Sequence, residues 1–167
     1  MRIKMRYISL ISPVISLLLG CNGCHFSKGF SKDLTTTLSV KYNGFTIGRF
    51  LLTDNNNRPL KDNKVQGDIP FRIVGNGIEG YTTQEGKVYP GCALTITDPA
   101  GKQILEIPDL FAGQPEGISP EDAANIAAIF TIPAQAGVGK KFHVQSRIFD
   151  KKNTENEIIA TADVLLQ

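Results

Sequence analysis

Near the C-terminus, two runs of strictly alternating residues commit the chain to antiparallel β-sheet. Phe142, Val144, Ser146 and Ile148 alternate with His143, Gln145, Arg147 and Phe149; further on, Ile158, Ala160, Ala162, Val164 and Leu166 alternate with Ile159, Thr161, Asp163 and Leu165. A period of two puts each set on one face of a pleated strand, so the Phe142 and Ile158 series face a common core. The polar stretch from Asp150 to Glu157 reads as the connection between them. Matching the inner faces pairs Ser146 with Ala162, because a one-residue slip would turn every core side chain to solvent. That register sets Gln145 beside Asp163, and Arg147 beside Thr161 with Asp163 on the diagonal.

The outer face of this hairpin mixes two chemistries. His143, Gln145, Arg147 and Asp163 are interrupted by Phe149, Ile159 and Leu165. An apolar patch rimmed by polar groups is a candidate partner face. The alternative is that a preceding segment or a long loop covers its apolar members.

The rest of the body follows the same grammar. Runs rich in Thr, Val, Ile and Phe at 35–42, 46–53, 68–75, 92–98, 102–107, 125–132, 141–150 and 157–166 are divided by clusters of Gly, Asn, Asp and Pro. The expected fold is all-β, an immunoglobulin-like antiparallel sandwich of seven to eight strands. Asp98-Pro99-Ala100-Gly101 has the Pro and Gly of a type I turn and should close a hairpin. Ser119-Pro120-Glu121-Asp122 offers a cap and a proline for one short helical turn that connects the two sheets. Asp54 to Pro59 is an Asx-rich turn.

A chain of 167 residues, 41% of them hydrophobic, suffices for one such core. Its formal net charge of +2 includes Arg2, Lys4 and Arg6, which stand in a segment with no acid. Without residues 1–20 the 18 Lys and Arg fall to 15 against 16 Asp and Glu, a balance of −1. A near-neutral domain offers no electrostatic reason to bind nucleic acid. Lys28, Lys32 and Lys41 stand close behind that segment, where bases could rest against anionic lipid or simply be solvated.

Those three N-terminal bases precede an apolar run, Tyr7 to Leu19, which is too short to span a bilayer but suits an export signal. The run ends in Leu18-Leu19-Gly20-Cys21, which resembles the lipobox of bacterial lipoproteins. The resemblance implies a signal peptide over 1–20, diacylglycerol on the Cys21 thiol, a tether over 21–34 and a folded domain over 35–167. Several acyl chains hold a protein firmly where one holds it marginally. Asn22 in place of Asp, and no acidic cluster through Lys28, imply an outer-membrane anchor facing the periplasm. Val88 to Asp98, Gly117 to Ala123 and the last hairpin are similar to small lipoproteins of Bacteroidetes type with one immunoglobulin-like domain of unassigned activity. No functional residue comes with that likeness.

Two literal motifs fail on context. Cys21-Asn22-Gly23-Cys24-His25 spells a haem-attachment sequence, but lipid would already occupy Cys21, and the mature chain has no Met as a second axial ligand. Gly75-Asn76-Gly77-Ile78-Glu79-Gly80 spells a dinucleotide fingerprint, yet Tyr81 to Gly91 has no helical spacing to cradle a pyrophosphate, so a loop between strands is expected. His25 and His143 lack motif-like neighbours, and Cys24 and Cys92 lack metal-ligand spacing. Cys92 reads as a small buried residue at a strand start, with a disulfide to Cys24 as the alternative. Asp54 with Asn56, and Asp150 with Asn153, Glu155 and Glu157, read as solvated turns rather than calcium loops.

No cofactor, metal or catalytic residue is therefore expected. The expected function is a non-catalytic envelope lipoprotein that binds a protein or glycan. An inhibitor presenting the Gly75 to Gly91 loop, and a hydrolase with an unmotifed site, stand as alternatives.

Overall fold

A computed structural model describes residues 27–167. The expected signal segment over 1–20, Cys21, Cys24 and His25 lie outside the described residues. In chain order the elements are β1 (Lys28–Lys32), β2 (Ser39–Asn43), β3 (Arg49–Thr53), β4 (Lys64–Val65), β5 (Phe71–Asn76), β6 (Pro90–Thr97), β7 (Gln103–Ile107), α1 (Pro120–Ala123), β8 (Asn125–Phe130), β9 (Lys141–Asp150) and β10 (Asn153–Leu166). The larger sheet runs β1-β2-β10-β9-β6-β7, with β4 parallel to the end of β10; the smaller runs β3-β5-β8.

The two sheets face each other as an all-β sandwich. Phe71, Ile73, Ala128 and Phe130 of the small sheet share one buried core with Val40, Leu94, Ile96, Phe142, Val144, Ile158 and Ala160 of the large one. Phe71 and Phe130 are opposite each other in register and stack with centroids 5.7 Å apart. Burying side chains of this size contributes roughly 1.5–3 kcal/mol each before the entropy of ordering them is subtracted.

Each anticipated strand is present, and two more join them. β1 falls inside the segment expected to be a tether: its residues are polar, but they pair antiparallel with β2 from Lys28–Asn43 to Lys32–Ser39. Edge strands bury little, so β1 carries almost no apolar alternation to betray it. β4 is only two residues long, too short for a period to show.

Local turn chemistry acts as the sequence implies. Asp98 Oδ1 accepts from the amides of Ala100 and Lys102 at 2.9 and 2.8 Å, and Gly101 takes the left-handed conformation that closes the β6–β7 hairpin. Ser119 caps α1 by accepting from the Asp122 amide at 3.1 Å, and α1 carries the chain from the large sheet to the small one. Asp54 Oδ1 accepts from Asn56 and Arg58 amides at 2.8 and 2.9 Å to hold the Asx turn.

The register of the last hairpin differs from the one expected. Ser146 pairs with Ala160, not Ala162; Gln145 faces Thr161, and Arg147 faces Ile159. The offset arises at the turn. Asp150 pairs with Asn153, Thr154 to Asn156 then bulge out, and pairing resumes between Phe149 and Glu157. The shift is two residues, so Ser146, Ala160 and Ala162 all remain buried. Alternation fixes which face a residue occupies but not how far the strands slide.

Candidate functional site

The outer face of β9 and β10 holds all seven residues that the alternation singles out, and they are largely occupied with one another. His143 Nδ1 lies 2.8 Å from Asp163 Oδ1, its partner across the strands. Arg147 Nε donates to Glu157 Oε2 at 2.8 Å, and its guanidinium stands 5.0 Å from the centre of the Phe149 ring. Phe149 lies over Gly91 of β6, where a side chain would collide with the ring. Ile159 and Leu165 are half-buried, as is Gln145 opposite Thr161. The face thus offers paired charges and small apolar areas rather than one continuous apolar patch.

A second place gathers polar groups with less to satisfy them. At the end of the sandwich where β10 begins, Ser27, Asn43, Gly44, Thr46, Gly80 to Thr82 and the bulged segment of β10 enclose an open cleft of about 880 Å³. Several links hold its walls. Asn43 Nδ2 donates to the Glu155 carbonyl at 2.6 Å, and Asn156 Nδ2 to the Gly80 carbonyl at 3.0 Å. Asn153 Nδ2 donates to Asn156 Oδ1 at 3.2 Å. Gly44 and Gly80 both have positive φ and sit where a Cβ would strike Asn156 or the Gly44 carbonyl, so the wall is built of bare backbone. Two of the lining residues carry buried polar atoms, Asn43 Oδ1 and the Tyr81 hydroxyl, with no hydrogen-bond partner among the described residues. Among the described residues its lining carries amides, hydroxyls and one carboxylate, Glu155, and no cation. Such a surface suits a neutral, hydroxyl-rich ligand.

Beneath the cleft lies a polar knot that fixes the turn between β9 and β10. Asp150, expected in a solvated turn, is instead fully buried. Its oxygens accept from the amides of Thr82 and Lys152 at 2.7 and 2.8 Å, and these two charge-assisted bonds offset its desolvation. Lys151 Nζ bonds Asp109 Oδ2 at 2.7 Å and the Phe111 carbonyl at 2.9 Å. Burial opposes ionisation of Asp109, but the Lys151 ammonium and the Cys92 and Phe111 amides outweigh it and hold the carboxyl below its ordinary value. Burial pushes the Cys92 thiol up to about 12, with the Asp109 charge adding to the shift. Burial likewise raises Tyr81, helped by Cys92 and Asp150, while its ring meets Phe45 edge-on at 4.8 Å.

The loop from Gly77 to Tyr89, expected between strands, is tied to the body by bridges of Glu79 to Thr46 and Val88 to Ile118, and by the Ile78 and Thr82 amides, which donate to the Ala124 carbonyl and the Asp150 carboxylate. It contributes Gly80, Tyr81 and Thr82 to the cleft. A second hollow of about 520 Å³ lies where β10 ends, lined by the Asp54 to Arg58 turn, Val65, Phe71 and Gln167. Among the described residues, no group of three or more His, Cys, Asp and Glu converges as metal ligands would.

Sequence reasoning did not find the cleft, whose lining comes from four separated stretches. The one available signal was the excess of polar residues between Asp150 and Glu157, longer than a tight hairpin needs. In comparisons with known proteins, the chain matches no family model and no curated protein.

Proposed function

We propose that this protein is a cell-envelope lipoprotein, anchored through Cys21, whose sandwich is a non-catalytic binding domain for a glycan. The lipobox-like Leu18-Leu19-Gly20-Cys21 motif supports the anchor, the basic and apolar segment before it supports export, and Asn22 in place of Asp with no acidic cluster through Lys28 supports an outer-membrane anchor facing the periplasm. The observation that carries the binding role is the amide- and hydroxyl-lined cleft at the start of β10. Sugars present the alternating donors and acceptors that Asn43, Thr46, Thr82, Asn153 and Asn156 complement, and their neutrality suits a lining without cations. Ser27 at the cleft rim is six residues from Cys21, which keeps a bound glycan within roughly 20 Å of the anchor.

Mass spectrometry of the mature N-terminus tests the anchor, and affinity electrophoresis through gels containing envelope polysaccharides tests the cleft. The expected result is an acylated Cys21 and retarded migration. Asn153→Ala and Glu155→Gln, both at exposed positions, should abolish the retardation while circular dichroism shows the domain still folded. Retardation that is unchanged in these variants, or absent with every glycan, removes the cleft as the binding site.

A further inference from the structure

The first hairpin presents a chemistry not used by the cleft. Register places Lys28, Phe30 and Lys32 of β1 on the same face as Ser39, Lys41 and Asn43 of β2, because Phe30 pairs with Lys41 and the alternate positions pair with Val40 and Tyr42 on the inner side. Phe30 is 60% exposed at the centre of this lysine cluster. Leu34, at the hairpin tip, is 82% exposed. These are two of the three most exposed large apolar side chains among the described residues, the third being Val138 at 69%.

The formal charges of this hairpin do not cancel: residues 28–43 carry three lysines against one acid, Asp33, which accepts from the neutral Thr35 amide and Thr36 hydroxyl at 2.8 Å each, while Glu157 bonds Arg147 and Asp163 bonds His143 on the neighbouring strands. Among the described residues no carboxylate lies within ion-pair distance of Lys32 or Lys41. A mature chain with a formal balance of −1 thus concentrates bases on one hairpin.

We infer that the outer face of β1 and β2 seats on an anionic lipid surface, with Phe30 entering the headgroup region and Lys32 and Lys41 meeting phosphates. The inference rests on the lipoprotein reading for its geometry. Lys28 follows Cys21 by seven residues, so β1 starts at most roughly 25 Å from the acylated thiol and can lie flat on the bilayer. Aromatic rings settle at the lipid–water interface, and bases beside anionic headgroups add affinity that one or two acyl chains alone do not give. The contact would fix the orientation of the sandwich over the membrane, where a lipid anchor alone would let it swivel.

The chain has no Trp, so Phe30→Trp creates a single fluorescent reporter. The purified mature lipoprotein carrying it is reconstituted into vesicles of phosphatidylcholine alone or with phosphatidylglycerol, and flotation is read alongside emission and acrylamide quenching. Flotation on both vesicles reports the anchor. A blue shift and protection from acrylamide only with phosphatidylglycerol, reversed by salt, report the face. Lys32→Glu with Lys41→Glu should weaken the protected fraction roughly fivefold per lysine and leave flotation unchanged. A protein that floats while the reporter indole stays equally quenchable on both vesicles overturns the inference and leaves the lipoprotein reading intact. If it fails to float on phosphatidylcholine, the anchor is wrong; the inference then stands only if salt-sensitive protection persists with phosphatidylglycerol, and falls without it. Concentration-dependent protection in buffer without lipid identifies a second copy as the occupant and also overturns it.

Discussion

Phe149 of β9 lies across Gly91 of β6, its register partner, and a Cβ at Gly91 would run into the ring. The same relationship recurs between Phe50 and Gly75 in the small sheet, and between Tyr42 and Gly29 in the first hairpin. An aromatic ring laid over a strand glycine shields backbone that would otherwise be exposed and fills the missing side chain's place.

Gly91→Ala should therefore destabilise the domain by about 1–2 kcal/mol, since the ring must lift off and lose its contact. Phe149→Leu alone should cost a similar amount, and the double variant less than the two together. Urea denaturation of all four proteins measures the coupling. Strict additivity would show that ring and glycine do not support one another.

Ser146 offers a sharper test of core chemistry. It sits between Leu94 and Ala160 in register, and its hydroxyl is buried with no hydrogen-bond partner among the described residues. An unmade hydrogen bond costs about 1–3 kcal/mol, partly offset by the small void an alanine leaves. Ser146→Ala should hold stability level or raise it by about 1 kcal/mol, and a fall of that size in thermal melts would mean the hydroxyl has a partner.

The Asp109–Lys151 pair predicts an acid dependence with a definite sign. Because the folded state depresses the Asp109 pKa, its contribution is present above the ordinary carboxyl value of about 4 and fades as pH drops through the lower folded value. Asp109→Asn should cost about 2 kcal/mol at pH 7, and the gap from the wild type should narrow below about pH 4. A gap that stays constant from pH 7 to pH 3 contradicts the assignment.

Cys92 should resist alkylation in the native state. Its side chain is fully buried and its thiol pushed up to about 12, leaving almost no thiolate at pH 8. Peptide mapping after iodoacetamide should find Cys92 unmodified in native protein and modified in urea. Native labelling at a rate near that of free cysteine would mean the β6 end of the core opens readily.

Much of the sandwich was written in local sequence. The Phe142 and Ile158 alternations, the Asp98-Pro99-Ala100-Gly101 turn and the Ser119 cap act within a few residues of themselves, so each is recognisable without knowing its neighbours. β1 escaped because an edge strand with one buried side needs few apolar residues, and Lys28-Gly29-Phe30-Ser31-Lys32 looks like solvated chain. The cleft escaped for a different reason. Asn43, Tyr81 and Asn156 have no shared spacing, and only the fold brings them to one mouth.

The sequence by itself determined which residues face inward and where most strands turn, because side-chain parity and turn preference are properties of adjacent residues. The tertiary structure decided the two-residue offset between β9 and β10, the partners of Gly91, Gly75 and Gly29, and the make-up of the cleft. Those depend on how a bulge at Thr154 to Asn156 is absorbed and on which strands become neighbours, and such choices are settled only when all the pairings compete for the same core.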